Sequence, residues 1–412
     1  MKKLLTFIMA GGKGERLSPL TKDRAKPAVP FGGIYRIIDF TLSNCINSGI
    51  RRIHILVQYK SMSLARHIRM GWNVLNAEVG EYIDVVPAQQ RIDDHWYQGT
   101  ADAIYQNIYS IQIENPDQVL ILAGDHVYKM NYAEMLENHR ESKADVTIGV
   151  VPLPVEESSQ VGVMEVGPDN VIAGFEEKPK SNPKTVPGDP SKIYGSMGIY
   201  IFDRKVLEQE LAEDARSEDS AHDFGKNIIP KMIQEGKRRV VAHNFVDMNK
   251  KDALYWRDVG TLDAYYEANM DLIQVVPQFN LYDRDWPIRT YQLQYPPAKF
   301  VFAQAFGGRR GMALDSIVGD GCIISGGTVQ KSILSPNVRV NSYADIEDSI
   351  LLEGVDVGRY AKIRNAILDK HVKVMPNAQI GYNLEEDRKR GFTITPKGLV
   401  CVDKNVVVEA AS

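Results

Sequence analysis

Over the first 150 positions, short apolar runs at residues 4–9, 53–57, 119–123 and 146–151 alternate with longer amphipathic stretches. Short apolar runs separated by helical patterns predict buried strands of a mostly parallel sheet joined by crossover helices. Helix starts follow the same grammar: Thr100 before Ala101, Asn131 before Tyr132, Asp223 before Phe224 and Thr261 before Leu262 each offer a capping oxygen. Pro277, Pro287, Pro296 and Pro297 then mark residues 277–299 as a connector with little regular structure. Beyond it the period changes. Leu334/Val340/Ile346, Leu351/Val357/Ile363 and Leu368/Val374/Ile380 repeat every 17 residues with internal steps of six, and Ile317/Ile323/Val329 fits ahead of them. One inward anchor per side, three sides per coil, predicts a hexapeptide β-helix. The expected organisation is 1–276, an α/β unit; 277–299, a connector; and 300–412, the solenoid. Stacked coils need a cap or a partner surface, which favours a homo-oligomer.

Composition narrows the function classes. The 412 residues carry 49 Lys+Arg against 53 Asp+Glu, a net charge of −4, so no global field is available to hold nucleic acid or an anionic membrane. Cys45, Cys322 and Cys401 have no paired spacing, which argues against disulfides or a zinc cluster and for the reducing cytoplasm. The start, residues 1–10, reads as a first strand rather than a signal peptide, and no apolar run of about 18 residues exists to span a membrane.

Any anion must therefore be bound locally, and the first strand leads to a place for it. Gly11, Gly12 and Gly14 let backbone N–H groups approach a phosphate, with Lys13 and Arg16 beside them. Residues 13–36 hold Lys13, Arg16, Lys22, Arg24, Lys26 and Arg36 against Glu15 and Asp23, an excess of four positive charges. Neither the P-loop nor the dinucleotide fingerprint fits, since no Gly-Lys-Ser/Thr follows and Leu17 stands at the third glycine position. Asp125 follows an apolar strand, where open α/β sheets place ligands, and Asp258 precedes the helix start at Thr261. Two such carboxylates suit Mg²⁺, but spacing alone fits a turn at Asp125 and a helix cap at Asp258 equally well.

Several stretches together resemble one family. Gly11-Gly12-Lys13-Gly14-Glu15-Arg16-Leu17, Arg24-Ala25-Lys26-Pro27-Ala28-Val29-Pro30, Arg36-Ile37-Ile38-Asp39-Phe40, Trp96-Tyr97-Gln98-Gly99-Thr100-Ala101-Asp102 and Leu122-Ala123-Gly124-Asp125-His126 come first. Phe175-Glu176-Glu177-Lys178-Pro179, Ser196-Met197-Gly198-Ile199-Tyr200 and Tyr255-Trp256-Arg257-Asp258-Val259-Gly260-Thr261 complete a series that is similar, in order, to the ADP-glucose pyrophosphorylases. That resemblance implies a Rossmann-like nucleotidyltransferase domain with a mostly parallel sheet followed by a left-handed parallel β-helix. It implies ATP and α-D-glucose 1-phosphate as substrates, Mg²⁺ on Asp125 and Asp258, and ADP-glucose for glycogen synthesis as product. Arg16 and Lys26, with the turn at Gly11 and Gly12, would face the nucleotide, and Gln89 the base. Tyr97, Gly162, Glu177, Lys178 and Ser196 would line the sugar phosphate, with Lys178 held before Pro179 on an extended backbone, and Gly99 would be a further substrate-binding residue.

The same resemblance implies a homotetramer answering to a small anionic effector. Many bacterial relatives carry a basic residue directly before Arg-Ala-Lys-Pro, whereas this chain has Asp23, with Lys22 one step earlier. Lys22, Arg24, Arg36 and the run Arg388-Lys389-Arg390 are the candidate effector contacts. His126 is not needed as a base, because a phosphate monoester is already ionised near neutral pH. An acyltransferase, the reading the solenoid alone would suggest, is disfavoured because only His371 lies in the repeats and no long inserted loop is expected among the coils.

Overall fold

The computed structural model describes residues 3–89, 95–251, 253–304 and 308–410. Leu4–Met9 lies at the centre of a mixed sheet, parallel to Arg52–Val57 on one side and to Gln118–Ala123 on the other, with Tyr82–Pro87 continuing the parallel set. The long strand Lys192–Asp203 runs antiparallel to Gln118–Ala123 and to Val146–Pro154, which in turn pairs parallel with Val240–Asn244. Alternate side chains of the central strands enter opposite cores. Ile8, Leu120 and Leu122 pack on one face, and Leu5, Phe7 and Ile121 on the other.

Asn131, Asp223 and Thr261 cap their helices through side-chain oxygens that accept from Ala133 N, Gly225 N and Ala264 N. Thr100 departs from the pattern. Gly99 occupies the cap, while the Thr100 hydroxyl donates to Asp223 Oδ2 and accepts from Phe224 N. The backbone N–H groups of Ala101 and Asp102 are bound instead by His222 O, so a neighbouring loop satisfies this helix start.

Residues 277–298 contain no strand or helix, yet they grip the amino-terminal unit. Phe279 is buried, Trp286 Nε1 donates to Asn44, and Thr290 Oγ1 donates to Asp39. The Lys129 ammonium, fully buried, donates to Asn280 O and Asp283 Oδ2 of the same segment.

From Lys299 the chain winds into three parallel sheets. Leu334, Leu351 and Leu368 stack on one inward row, Val340, Val357 and Val374 on a second, and Ile346, Ile363 and Ile380 on the third. All nine are buried, as a left-handed β-helix with one anchor per side requires. The corners repeat with the coils, and many of them adopt positive φ: Asn337, Gly354, His371 and Asn405 stand at one corner, Tyr343, Tyr360 and Asn377 at another. Two features differ from the sequence reading. Ahead of Leu334 the aligned residues are Val318 and Ile324, one position after Ile317 and Ile323, because this coil is one residue shorter. Between Ile380 and Val400 the helix Leu384–Lys389 and a short hairpin are inserted, so Leu368 pairs with Val402 after twice the normal step. The expectation of uninterrupted coils fails there, because six-residue periodicity is blind to an insertion one coil long.

The side that carries Leu334, Leu351 and Leu368 also turns an apolar row outward. Ile333, Ile350, Ile367 and Cys401 are buried against Leu20, Val29, Tyr265 and Leu272 of the amino-terminal unit. Burial of this order contributes about 2 kcal/mol per large aliphatic side chain, so the solenoid and the α/β unit form a continuous packed interface.

Candidate active site

The carboxyl ends of the central strands open into a cleft of about 770 Å³ lined by Gly11, Gly12, Arg16, Lys26, Tyr97 and Gly99, among others. A second cavity of about 240 Å³ adjoins it, with Gly162, Glu177, Lys178 and Ser196 in its wall. Met9, Thr100, Ala123, Asp223 and Asp258 line both. The residues singled out from sequence therefore converge on one double site, with the exception of the exposed Gln89, which lines neither cavity.

The turn after Leu4–Met9 is built around Gly14, whose φ of 64° is left-handed and whose added Cβ would crowd Thr21 and Lys26. Thr21 Oγ1 donates to Gly14 O and closes the turn from the other side. Gly260 sits so close to Arg16 that a Cβ there would lie 3.2 Å from its guanidinium and from both Asp258 oxygens, which places Arg16 beside that aspartate.

Asp125 follows Gln118–Ala123, and Asp258 ends the strand Trp256–Asp258, which pairs antiparallel with His126–Tyr128 in a two-stranded sheet. That small sheet places Asp258 opposite His126 and brings the two carboxylates together. Oxygens of both and a nitrogen of His126 fall within 4.8 Å of one another. Lys26 stands between the aspartates, its Nζ donating to Asp125 Oδ2 at 2.9 Å and to Asp258 Oδ1 at 2.6 Å. Burial would discharge this ammonium, but the attraction of Asp125 and Asp258 prevails and holds its pKa above the usual lysine value. Burial likewise pushes the Asp125 carboxyl up, and Lys26 and His126 overcome it, leaving the group ionised below the ordinary aspartate range. Two hard carboxylate donors already gathered around a cation fit a divalent metal such as Mg²⁺, with phosphate and water oxygens completing its shell. Asp258 is thus not a helix cap; Thr261 takes that role.

The second cavity depends on two local devices. The register of Lys192–Asp203 slips between Ser196 and Tyr200, with Gly198 at φ 67°, and this bulge turns Ser196, Met197 and Gly198 into the cavity wall. Lys178 adopts φ 50° rather than the extended backbone expected before Pro179. Its N–H donates to Val161 O as the strand Ile172–Glu177 ends, so tertiary pairing overrides the local preference, and its ammonium lies 3.4 Å from Glu177.

Sequence reasoning assigned Asp223 and Thr100 only to helix starts, yet their mutual hydrogen bond joins the two cavity walls. A cap reads the same whatever it faces, so no local signal distinguishes this pair. Gly99 makes the closure feasible, because a Cβ there would collide with the carbonyl oxygens of Ala221 and His222. Gly99→Ala is expected to part the two loops, cost about 1–3 kcal/mol of stability and weaken nucleotide binding; thermal denaturation and nucleotide titration check both. Unchanged values in both would show that the loops need no such contact.

The candidate effector contacts are largely engaged within the chain. Arg24 bonds Asp369, Lys22 bonds Asp403, Arg36 donates to Ser63, and Arg390 donates to Gln379 O. No described helix is long and apolar enough to cross a membrane.

Residues 5–275 match the family model for nucleotidyl transferases, and residues 296–402 match the GlmU-like C-terminal hexapeptide model. A glucose-1-phosphate adenylyltransferase of Koribacter versatilis is 55% identical over 406 residues, covering 98% of this chain and 96% of that protein. Those of Rhodopirellula baltica and of Anaeromyxobacter sp. (strain Fw109-5) are 56% and 52% identical, covering 99% of this chain and 91% and 100% of their own lengths. With a nucleotidyltransferase sheet, a hexapeptide solenoid and these relatives matched nearly end to end, the chain belongs to the glucose-1-phosphate adenylyltransferase family.

Proposed function

We propose that this protein transfers the adenylyl group of ATP to α-D-glucose 1-phosphate, forming ADP-glucose for glycogen synthesis and releasing pyrophosphate. The observation that carries this reading is the pair of adjoining cavities meeting at Asp258, with Asp125 and Lys26 beside it. The larger suits a nucleoside triphosphate on the glycine turn with Arg16, and the smaller a sugar phosphate held by Lys178, Glu177, Ser196 and the Gly162 backbone, with Tyr97 standing on the wall of the larger cleft. A phosphate oxygen of the sugar forms a bond to the α-phosphorus, and the bond from that phosphorus to the bridging oxygen breaks as pyrophosphate departs. No base has to remove a proton, since the attacking oxygen is already ionised. His126 stands beside Asp125, its Nε2 3.6 Å from the carboxylate.

Bringing two polyanions together is the main barrier, and positive charge preorganised at their meeting point lowers it. Arg16, Lys26 and Lys178 supply fixed charges. Asp125 and Asp258 would hold Mg²⁺, which contributes charge neutralisation on the phosphates when bound. The same reading makes the protein a cytoplasmic homotetramer controlled by a small anion, and a small cavity between the two units lined by Arg36 and Lys370 supports such an effector.

Pyrophosphate release measured with ATP, UTP, dTTP and GTP against several sugar 1-phosphates tests the reaction. ATP with glucose 1-phosphate should give the highest kcat/KM by a wide margin. Faster turnover with another nucleotide would reassign the specificity while leaving the phosphate chemistry intact.

A further inference from the structure

The solenoid reaches the nucleotide site through one buried ion pair. Arg24 lies two residues before Lys26, and its NH2 donates to both Asp369 oxygens at 2.9 Å. Asp369 follows the inward Leu368 at a corner of the β-helix, where its backbone N–H is fixed to Val402 O and its Oδ1 accepts from Lys370 N. The side chains are 6% and 3% exposed, so this contact is screened far less than a surface pair. A shallower tie lies alongside, Lys22 Nζ to Asp403 Oδ2 at 2.9 Å.

The segment between these ties and the site has little slack. Ala25 is buried, the short helix Lys26–Ala28 starts directly after it, and Thr21 is held by Gly14 through its hydroxyl and by Lys60 through its carbonyl. A displacement of Arg24 is therefore passed to Lys26, whose ammonium has to meet Asp125 and Asp258 at once.

From this chain of contacts we infer that Asp369, on the β-helix, is a positioning residue for the adenylyl transfer: through Arg24 it sets where the Lys26 ammonium stands between the two aspartates. The inference rests on the role given to Lys26 under the proposed function. Arg24 NH1 is buried without a partner, so the guanidinium depends on Asp369 for its charged contact. Replacing Asp369 leaves the cation buried and free to seek another partner, drawing the 22–26 segment with it.

The test is a double-mutant cycle in the full-length enzyme, read as kcat and as KM for each substrate. Asp369→Asn should lower kcat by about tenfold with the KM for glucose 1-phosphate unchanged, since misplacing one catalytic charge costs rate rather than sugar binding. In a Lys26→Met background the same substitution should cost less than about twofold, because the group it positions is gone. An equal loss in both backgrounds, or a fall in thermal midpoint with kcat intact, would reduce Asp369 to a structural residue. If Lys26→Met alone left kcat unimpaired, the role given to Lys26 would fall and this inference with it, an outcome distinct from additivity. Should Asp369→Asn not fold, Asp369→Glu keeps the charge but moves it by a methylene, and the same non-additivity with Lys26→Met is expected.

Discussion

Asp125→Asn is expected to lower turnover by about a thousandfold in both directions, with the fold retained. The substitution keeps volume and one acceptor but removes the charge that Lys26 and His126 now face. A carboxylate contributes here through the cation it holds, and losing the metal's charge neutralisation at the reacting phosphates is worth about 10²–10³ in rate. Pyrophosphate release and the reverse pyrophosphorolysis, each titrated with Mg²⁺, would report the loss; a variant within tenfold of normal would remove Asp125 from the metal site. Stability carries a separate signature in the metal-free protein. Because the folded carboxyl titrates below the unfolded value of about 3.9, its stabilising contribution is present above that value and fades as pH falls through the folded one. The wild type should thus hold an advantage over the variant near pH 7 that narrows on acidification.

Lys26→Met should lower kcat by about a hundredfold while tightening the binding of a divalent cation. The ammonium neutralises Asp125 and Asp258 and competes with a metal for the same oxygens, so removing it concentrates negative charge on the cation site. The methionine stem fills the space of the lysine chain, which limits the packing cost at a position only 7% exposed. Calorimetric titration of the metal-free protein with Mg²⁺ separates this role from a purely structural one. If metal affinity and kcat fell together, Lys26 would be serving to shape the pocket.

Much of the site was legible because its signals are local. The glycine turn and the charge excess around it marked Lys26 and Arg16, and the apolar run before Asp125 placed that residue at a strand end. The bulge at Ser196–Tyr200 and the left-handed Lys178 were not legible. A register slip is decided by the strands alongside, here Val146–Pro154, and Lys178 takes its conformation from a bond to Val161 O. The solenoid shows the same division. Its inward rows were plain from the period, whereas the outward row Ile333, Ile350, Ile367 and Cys401 makes sense only against Tyr265 and its neighbours.

By itself the sequence determined the kinds of element, the change from a strand-and-helix pattern to a repeat of 17, and the chemistry available near the first turn. Periodicity and turn chemistry act over a few residues, so they are written where they operate. Tertiary structure decided that Lys26 meets carboxylates 99 and 232 positions away, and that its neighbour Arg24 is gripped by an aspartate 345 positions away. The first two meetings depend on how distant strands of the α/β unit pair, and the third on how two large apolar surfaces settle against each other, properties of the assembled chain that no short stretch of it contains.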